Sequence, residues 1–114
     1  MHEVSVAGSL LDIAVRECAG KGFGRIINIK VSIGRASGVM PEALLFAFDA
    51  LKRDTIAGGA SLIIEEVPVT GRCNGCSADF TVDGEYVLCC PSCGGGSFAV
   101  KTGREMDITE LEVE

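Results

Sequence analysis

Apolar residues Val4, Ala7, Leu10, Leu11, Ala14, Val15 and Cys18 recur three and four positions apart, while Asp12, Arg16 and Glu17 fall off that stripe. This spacing predicts an amphipathic helix over residues 4–20, stopped by the glycines of KGFG. The period then shortens to two. In RIINIKVSIG, Ile27, Ile29, Val31 and Ile33 alternate with Asn28, Lys30 and Ser32, as in a strand with one buried face. Pro41 suits the first turn of a second helix, MPEALLFAFDALKRDT, in which Leu44, Leu45, Phe48 and Leu51 are expected to face inward, with Gly58 and Gly59 ending it. SLIIEEVPV reads as another long strand, and Pro68 near its end marks an edge or an exit from the sheet.

From Thr70 to about Gly96 glycine and cysteine rise and the apolar runs shorten; SFAVK and MDITELEVE then look like returning strands. No internal repeat is visible. The economical fold class is α+β: two helices packed on a small mixed β-sheet, with an inserted four-cysteine, zinc-ribbon-like module. Residues 1–70 and 97–114 are expected to form a discontinuous α/β domain, and residues 71–96 a zinc-binding module.

At 114 residues and 47% apolar content the chain can bury a modest core. A net charge of −6 and the absence of tryptophan work against nucleic-acid binding, which needs clustered cations or stacking aromatics. Asp12 and Arg16 break the first apolar stretch, no basic leader precedes it, and no apolar run is long enough to span a bilayer. A soluble cytoplasmic protein is the expectation, and its six cysteines then suggest metal before disulfides.

Cys73-Asn74-Gly75-Cys76 and Cys90-Pro91-Ser92-Cys93 each carry two residues between their cysteines, with thirteen residues between the pairs. Two tight turns offering two thiolates each meet the tetrahedral demand of Zn(II). Gly75 and Gly94 are expected to permit the sharp backbone, with turn N–H groups bonding the sulfurs. Neither pair precedes a helical pattern, so a thioredoxin-like dithiol is disfavoured. Cys89 lacks the knuckle spacing to Cys93 and reads as a bystander thiol, and Cys18 as a small core residue. Four protein ligands leave no open position, so the site should be structural. Metal binding and folding of the insert should be one event, worth on the order of 10 kcal/mol.

His2 is the only histidine in the chain. Its bulk predicts retention of Met1, whose amine, the His2 amide nitrogen and the His2 imidazole Nδ1 form a chelate suited to Ni(II) or Cu(II). The Glu3 amide competes with Nδ1 for a corner of a flat site, which leaves the fourth donor open. A solvated, inert terminus is the competing reading.

MHE at the start, IGRASGVMPEALLFAFD, GASLIIEEVPVTGRC and CPSCG together resemble the hydrogenase nickel-incorporation metallochaperones (HypA/HybF family) over nearly the whole chain. The resemblance implies a cytoplasmic carrier that hands Ni(II) toward the large-subunit precursor of nickel–iron hydrogenase with a GTPase accessory protein, with urease as a second client in some bacteria. It implies a nickel site at Met1, His2 and Glu3, and a structural zinc site at Cys73, Cys76, Cys90 and Cys93. The chain is expected to be a monomer or a homodimer, with no nucleic-acid or membrane partner.

Catalytic combinations are missing from the sequence. There is no GxxxxGK[ST] loop, and no second histidine exists to serve a serine or cysteine nucleophile. The expectation is a protein that is not an enzyme. Its rivals are a zinc-ribbon interaction scaffold without metal transfer and a small zinc-ribbon transcription factor.

Overall fold

A computed structural model describes residues 3–84 and 86–114. Helix α1 spans Glu3–Gly20 and buries Ala7, Leu10, Leu11, Ala14 and Cys18, while Val4, at the margin of the stripe, is exposed. Strand β1 (Ile26–Gly34) buries Ile29, Val31 and Ile33 as the alternation predicts. At its start Ile26 is buried and Ile27 only half-buried, and the Ile26 N–H donates to the Ile56 carbonyl at 2.9 Å.

Helix α2 spans Pro41–Leu51, with Pro41 in its first turn and the Leu44 N–H donating to the Met40 carbonyl. Its inner face is Leu44, Ala47 and Phe48. The expectation that Leu45 and Leu51 also point inward does not hold, since they are 40% and 41% exposed. Each helical residue turns the side chain by about 100°, which carries Leu45 off the Leu44–Phe48 face. Leu51 sits in the last turn, where its Cδ1 covers Gly8 of α1.

The first sheet has the order β2-β1-β6, where β2 is Ser61–Val67 and β6 is Met106–Val113. Partners of β1 fall along β6 as β1 rises: Arg25 carbonyl to Glu114 N–H, Asn28 to Glu112, Lys30 carbonyl to Thr109 Oγ1 and Gly34 N–H to the Glu105 carbonyl. These two strands are therefore antiparallel. Ile26 bonds Ile56 and Arg35 bonds Val67, so β2 runs the same way as β1, with α2 as the crossover.

Pro68 ends β2, and β3 (Val69–Cys73) opens a second sheet of order β4-β3-β5, with β4 at Asp79–Val82 and β5 at Phe98–Thr102. Both neighbours pair antiparallel with β3. The segment SFAVK thus belongs beside the cysteine turns and not in the first sheet. Gly71 makes this possible: a Cβ there would lie 2.6 Å from the Ala99 carbonyl oxygen and 2.7 Å from Cζ of Phe80. Residues to Ser32, Val39–Glu65 and Asp107–Glu114 make one compact unit, and Ile33–Gly38 with Glu66–Met106 make the other. The second compact unit thus reaches past the expected module at residues 71–96, taking in Ile33–Gly38, residues 66–70, β5 and the turn after it.

Candidate metal centre

Two knuckles of matching construction carry the cysteines. The Cys73 N–H donates to the Ala78 carbonyl and the Ser77 N–H to the Cys73 carbonyl, at 2.9 and 3.1 Å. Seventeen residues later the pattern repeats, with the Cys90 N–H donating to the Gly95 carbonyl and the Gly94 N–H to the Cys90 carbonyl, both at 2.8 Å. In each knuckle the residue after the second cysteine takes a left-handed conformation: Ser77 has φ 60° and Gly94 φ 75°. Gly94 therefore has the role expected of it. Gly75 does not, because the left-handed position in the first knuckle falls on Ser77. Ser77 escaped the sequence reading since serine carries no such signal, although aligning the two knuckles on their cysteines sets it opposite Gly94.

The knuckles bring together the four sulfurs of Cys73, Cys76, Cys90 and Cys93, all within 4.8 Å of one another. Cys73 and Cys93 approach to 3.6 Å and Cys76 and Cys90 to 3.7 Å. A metal at about 2.3 Å from each sulfur in a tetrahedron requires edges of about 3.8 Å. The chain thus holds a four-cysteine metal-binding cluster whose spacing fits Zn(II). Cys73 and Cys90 are buried, while Cys76 and Cys93 are exposed. Beneath them Cys73, Phe80 and Cys90 form a small core with Val82, Val87 and Phe98, and the rings of Phe80 and Phe98 meet edge to face at 5.9 Å.

Electrostatics differ from sulfur to sulfur. The N–H groups of Cys76 and Gly75 point at the Cys73 sulfur, at 3.4 and 3.3 Å, and hold this thiol down at about 6. Cys90 is lowered by the N–H of Cys93 and, less strongly, that of Ser92, against the opposing effect of burial. Cys93 accepts the Gly95 N–H, which favours its thiolate, yet the neighbouring sulfurs of Cys73, Cys76 and Cys90 push it up to about 11. Four thiolates crowded together cannot all ionise without a cation among them.

Cys89 is exposed and stands outside the four-sulfur cluster, and Cys18 is buried in α1. Of the N-terminal set, Met1 and His2 lie outside the described residues, and Glu3 opens α1 half-buried. Among the described residues no helix is long and apolar enough to cross a membrane.

A family profile described as hydrogenase/urease nickel incorporation, metallochaperone, hypA matches residues 1–113. The hydrogenase maturation factor HypA of Geobacter metallireducens is 41% identical over 114 residues, covering 100% of both chains. That of Solidesulfovibrio magneticus is 44% identical over 117 residues, again across 100% of each. The solution structure of the Ni metallochaperone HypA from Helicobacter pylori matches the fold with a TM-score of 0.71 at 25% identity, covering 99% of this chain and 97% of that one.

Proposed function

The chain belongs to the HypA family of hydrogenase/urease nickel-incorporation metallochaperones, and from that premise we propose that it carries Ni(II) at its amino terminus and braces its second unit with Zn(II). It is a nickel metallochaperone of hydrogenase maturation and not an enzyme. In the proposed division of labour Met1, His2 and Glu3 hold the nickel cargo. Cys73, Cys76, Cys90 and Cys93 hold the zinc.

The two donor sets suit the two tasks. Amine, amide and imidazole nitrogens at a chain end can be exchanged one at a time, which lets a carrier release its ion to an acceptor. Four thiolates close a coordination sphere and leave no place for substrate. Nickel passes to the large-subunit precursor of nickel–iron hydrogenase together with a GTPase accessory protein, in the cytoplasm, with urease as a further client. The observation that carries this reading is the family match beginning at residue 1, where the three donor residues stand.

Metal analysis of the untagged protein after Ni(II) loading tests it. The wild type should hold nickel and zinc, and His2→Ala should lose nickel while keeping zinc. Acetylating the terminal amine should have the same effect as His2→Ala. Undiminished nickel in both altered forms would exclude the N-terminal site.

A further inference from the structure

The four sulfurs all lie within 4.8 Å of one another, and two of their approaches each join one knuckle to the other and pair an exposed thiol with a buried one. Exposed Cys93 faces buried Cys73 at 3.6 Å, and exposed Cys76 faces buried Cys90 at 3.7 Å. We propose that the cluster is a reversible peroxide switch: oxidation couples Cys73 to Cys93 and Cys76 to Cys90, expels the metal, and leaves the second unit folded. This rests on the zinc assignment above.

The geometry assigns each sulfur a part. A peroxide arriving from water meets Cys76 or Cys93 first, because Cys73 and Cys90 are only 2% and 1% exposed. The exposed thiolate attacks one peroxide oxygen, the O–O bond breaks, and hydroxide leaves, giving a sulfenic acid. The buried thiolate opposite then attacks that sulfur. The new S–S bond forms, the S–O bond breaks, and a second hydroxide departs. Two thiolates are oxidised to one disulfide as one peroxide is reduced to two hydroxides, and the second pair repeats the exchange. With all four sulfurs bonded to each other, no thiolate remains for zinc, which leaves as Zn(II). Cys89 lies outside the cluster and keeps its thiol.

Connectivity determines whether the oxidised unit stays folded. Disulfides within a knuckle would close only a turn and hold nothing together. The cross-knuckle pairs link residues 20 and 14 positions apart, so they tie the same two turns that the metal ties and restrain the unfolded chain in its place. Oxidised, zinc-free protein should therefore keep the fold that reduced, zinc-free protein loses.

The experiment titrates zinc-loaded full-length protein with hydrogen peroxide, following zinc release with a chromogenic chelator, disulfides by peptide mapping, and amide exchange over β3–β5. Cys89→Ser, which leaves the cluster intact, is run in parallel. One zinc released per chain in step with the two cross-knuckle disulfides, unchanged protection of β3–β5, identical behaviour of Cys89→Ser, and recovery with a thiol reductant plus zinc are expected. Disulfides within a knuckle or through Cys89, sulfinic or sulfonic acids without disulfide, or loss of amide protection on oxidation would each overturn the proposal. Untreated protein isolated without zinc would instead refute the metal assignment, and the disulfide map could still be read on it.

Discussion

Ser77, with φ 60°, occupies the position that Gly94 fills in the second knuckle with φ 75°. A side chain there costs about 1 kcal/mol of backbone strain. Glycine would relieve it while adding about 0.5 kcal/mol of unfolded-state entropy. Ser77→Gly should thus stabilise the zinc-loaded protein by a few tenths of a kcal/mol or more, and Gly94→Ala should destabilise it by about 1 kcal/mol. Urea midpoints with unchanged slopes would measure both, and two shifts of the same sign would contradict the shared turn geometry. The sulfurs make a second prediction at this scale. In the folded knuckle the Cys76 and Gly75 N–H groups hold Cys73 down at about 6 and favour its thiolate. The neighbouring sulfurs overcome the Gly95 N–H and keep Cys93 at about 11, so it is still a thiol. Zinc needs both deprotonated. Because the second unit loses its fold without zinc, its thiols start protonated near neutral pH, and uptake there should release protons from Cys73 and Cys93 alike, so zinc affinity should fall as pH drops. Calorimetric zinc titrations in buffers of different ionisation enthalpy give the proton count; uptake without proton release near neutral pH would refute the assignment.

Elements built on a sustained period are the ones a linear reading finds. The stripe of α1 and the alternation of β1 each repeat over many residues, and both come out where the period places them. β3 and β4 were not legible, because VTGRC and DFTV are only 5 and 4 residues long and hold too few apolar positions to show a period. The cysteine spacing announced the four-sulfur cluster without them. Side-chain direction in α2 is not legible where apolar residues run consecutively: Leu44 and Leu45 are equally apolar, and only tertiary packing decides that Leu44 is buried and Leu45 is not. The placement of β5 depended on Gly71, whose missing side chain admits the Ala99 carbonyl and the Phe80 ring, a close approach no local pattern encodes. Gly71→Ala should accordingly cost about 1–3 kcal/mol through overpacking between β4, β3 and β5. Gly96→Ala, where a Cβ meets nothing within 4 Å, serves as the control and should be far milder. Thermal unfolding of the two zinc-loaded variants compares them, and equal destabilisation would remove Gly71 from its role as the residue that lets the sheet close.

At the scale of the whole molecule, the two compact units are held by different physics. The first buries Leu10, Leu11, Ile26, Ile29, Leu44 and Phe48, a hydrophobic core that requires no ion. The cluster under the second consists of Cys73, Phe80 and Cys90 with partly buried Val82, Val87 and Phe98, so two of its three buried members are themselves proposed zinc ligands. Removing zinc from the reduced protein leaves those thiols to regain protons in a place shaped for thiolates, and it cuts the tie between the knuckles. Metal binding there is folding energy. Chelation under reducing conditions should therefore abolish amide protection in Val69–Cys73, Asp79–Val82 and Phe98–Thr102, while protection in α1 and β1 persists. Restoring Zn(II) should recover the lost protection. Hydrogen exchange read by mass spectrometry resolves the two sets of peptides. Protection lost everywhere at once would mean that the metal supports the entire chain as a single cooperative unit, and protection kept everywhere would mean that Phe80, Phe98 and their neighbours hold the second unit without it.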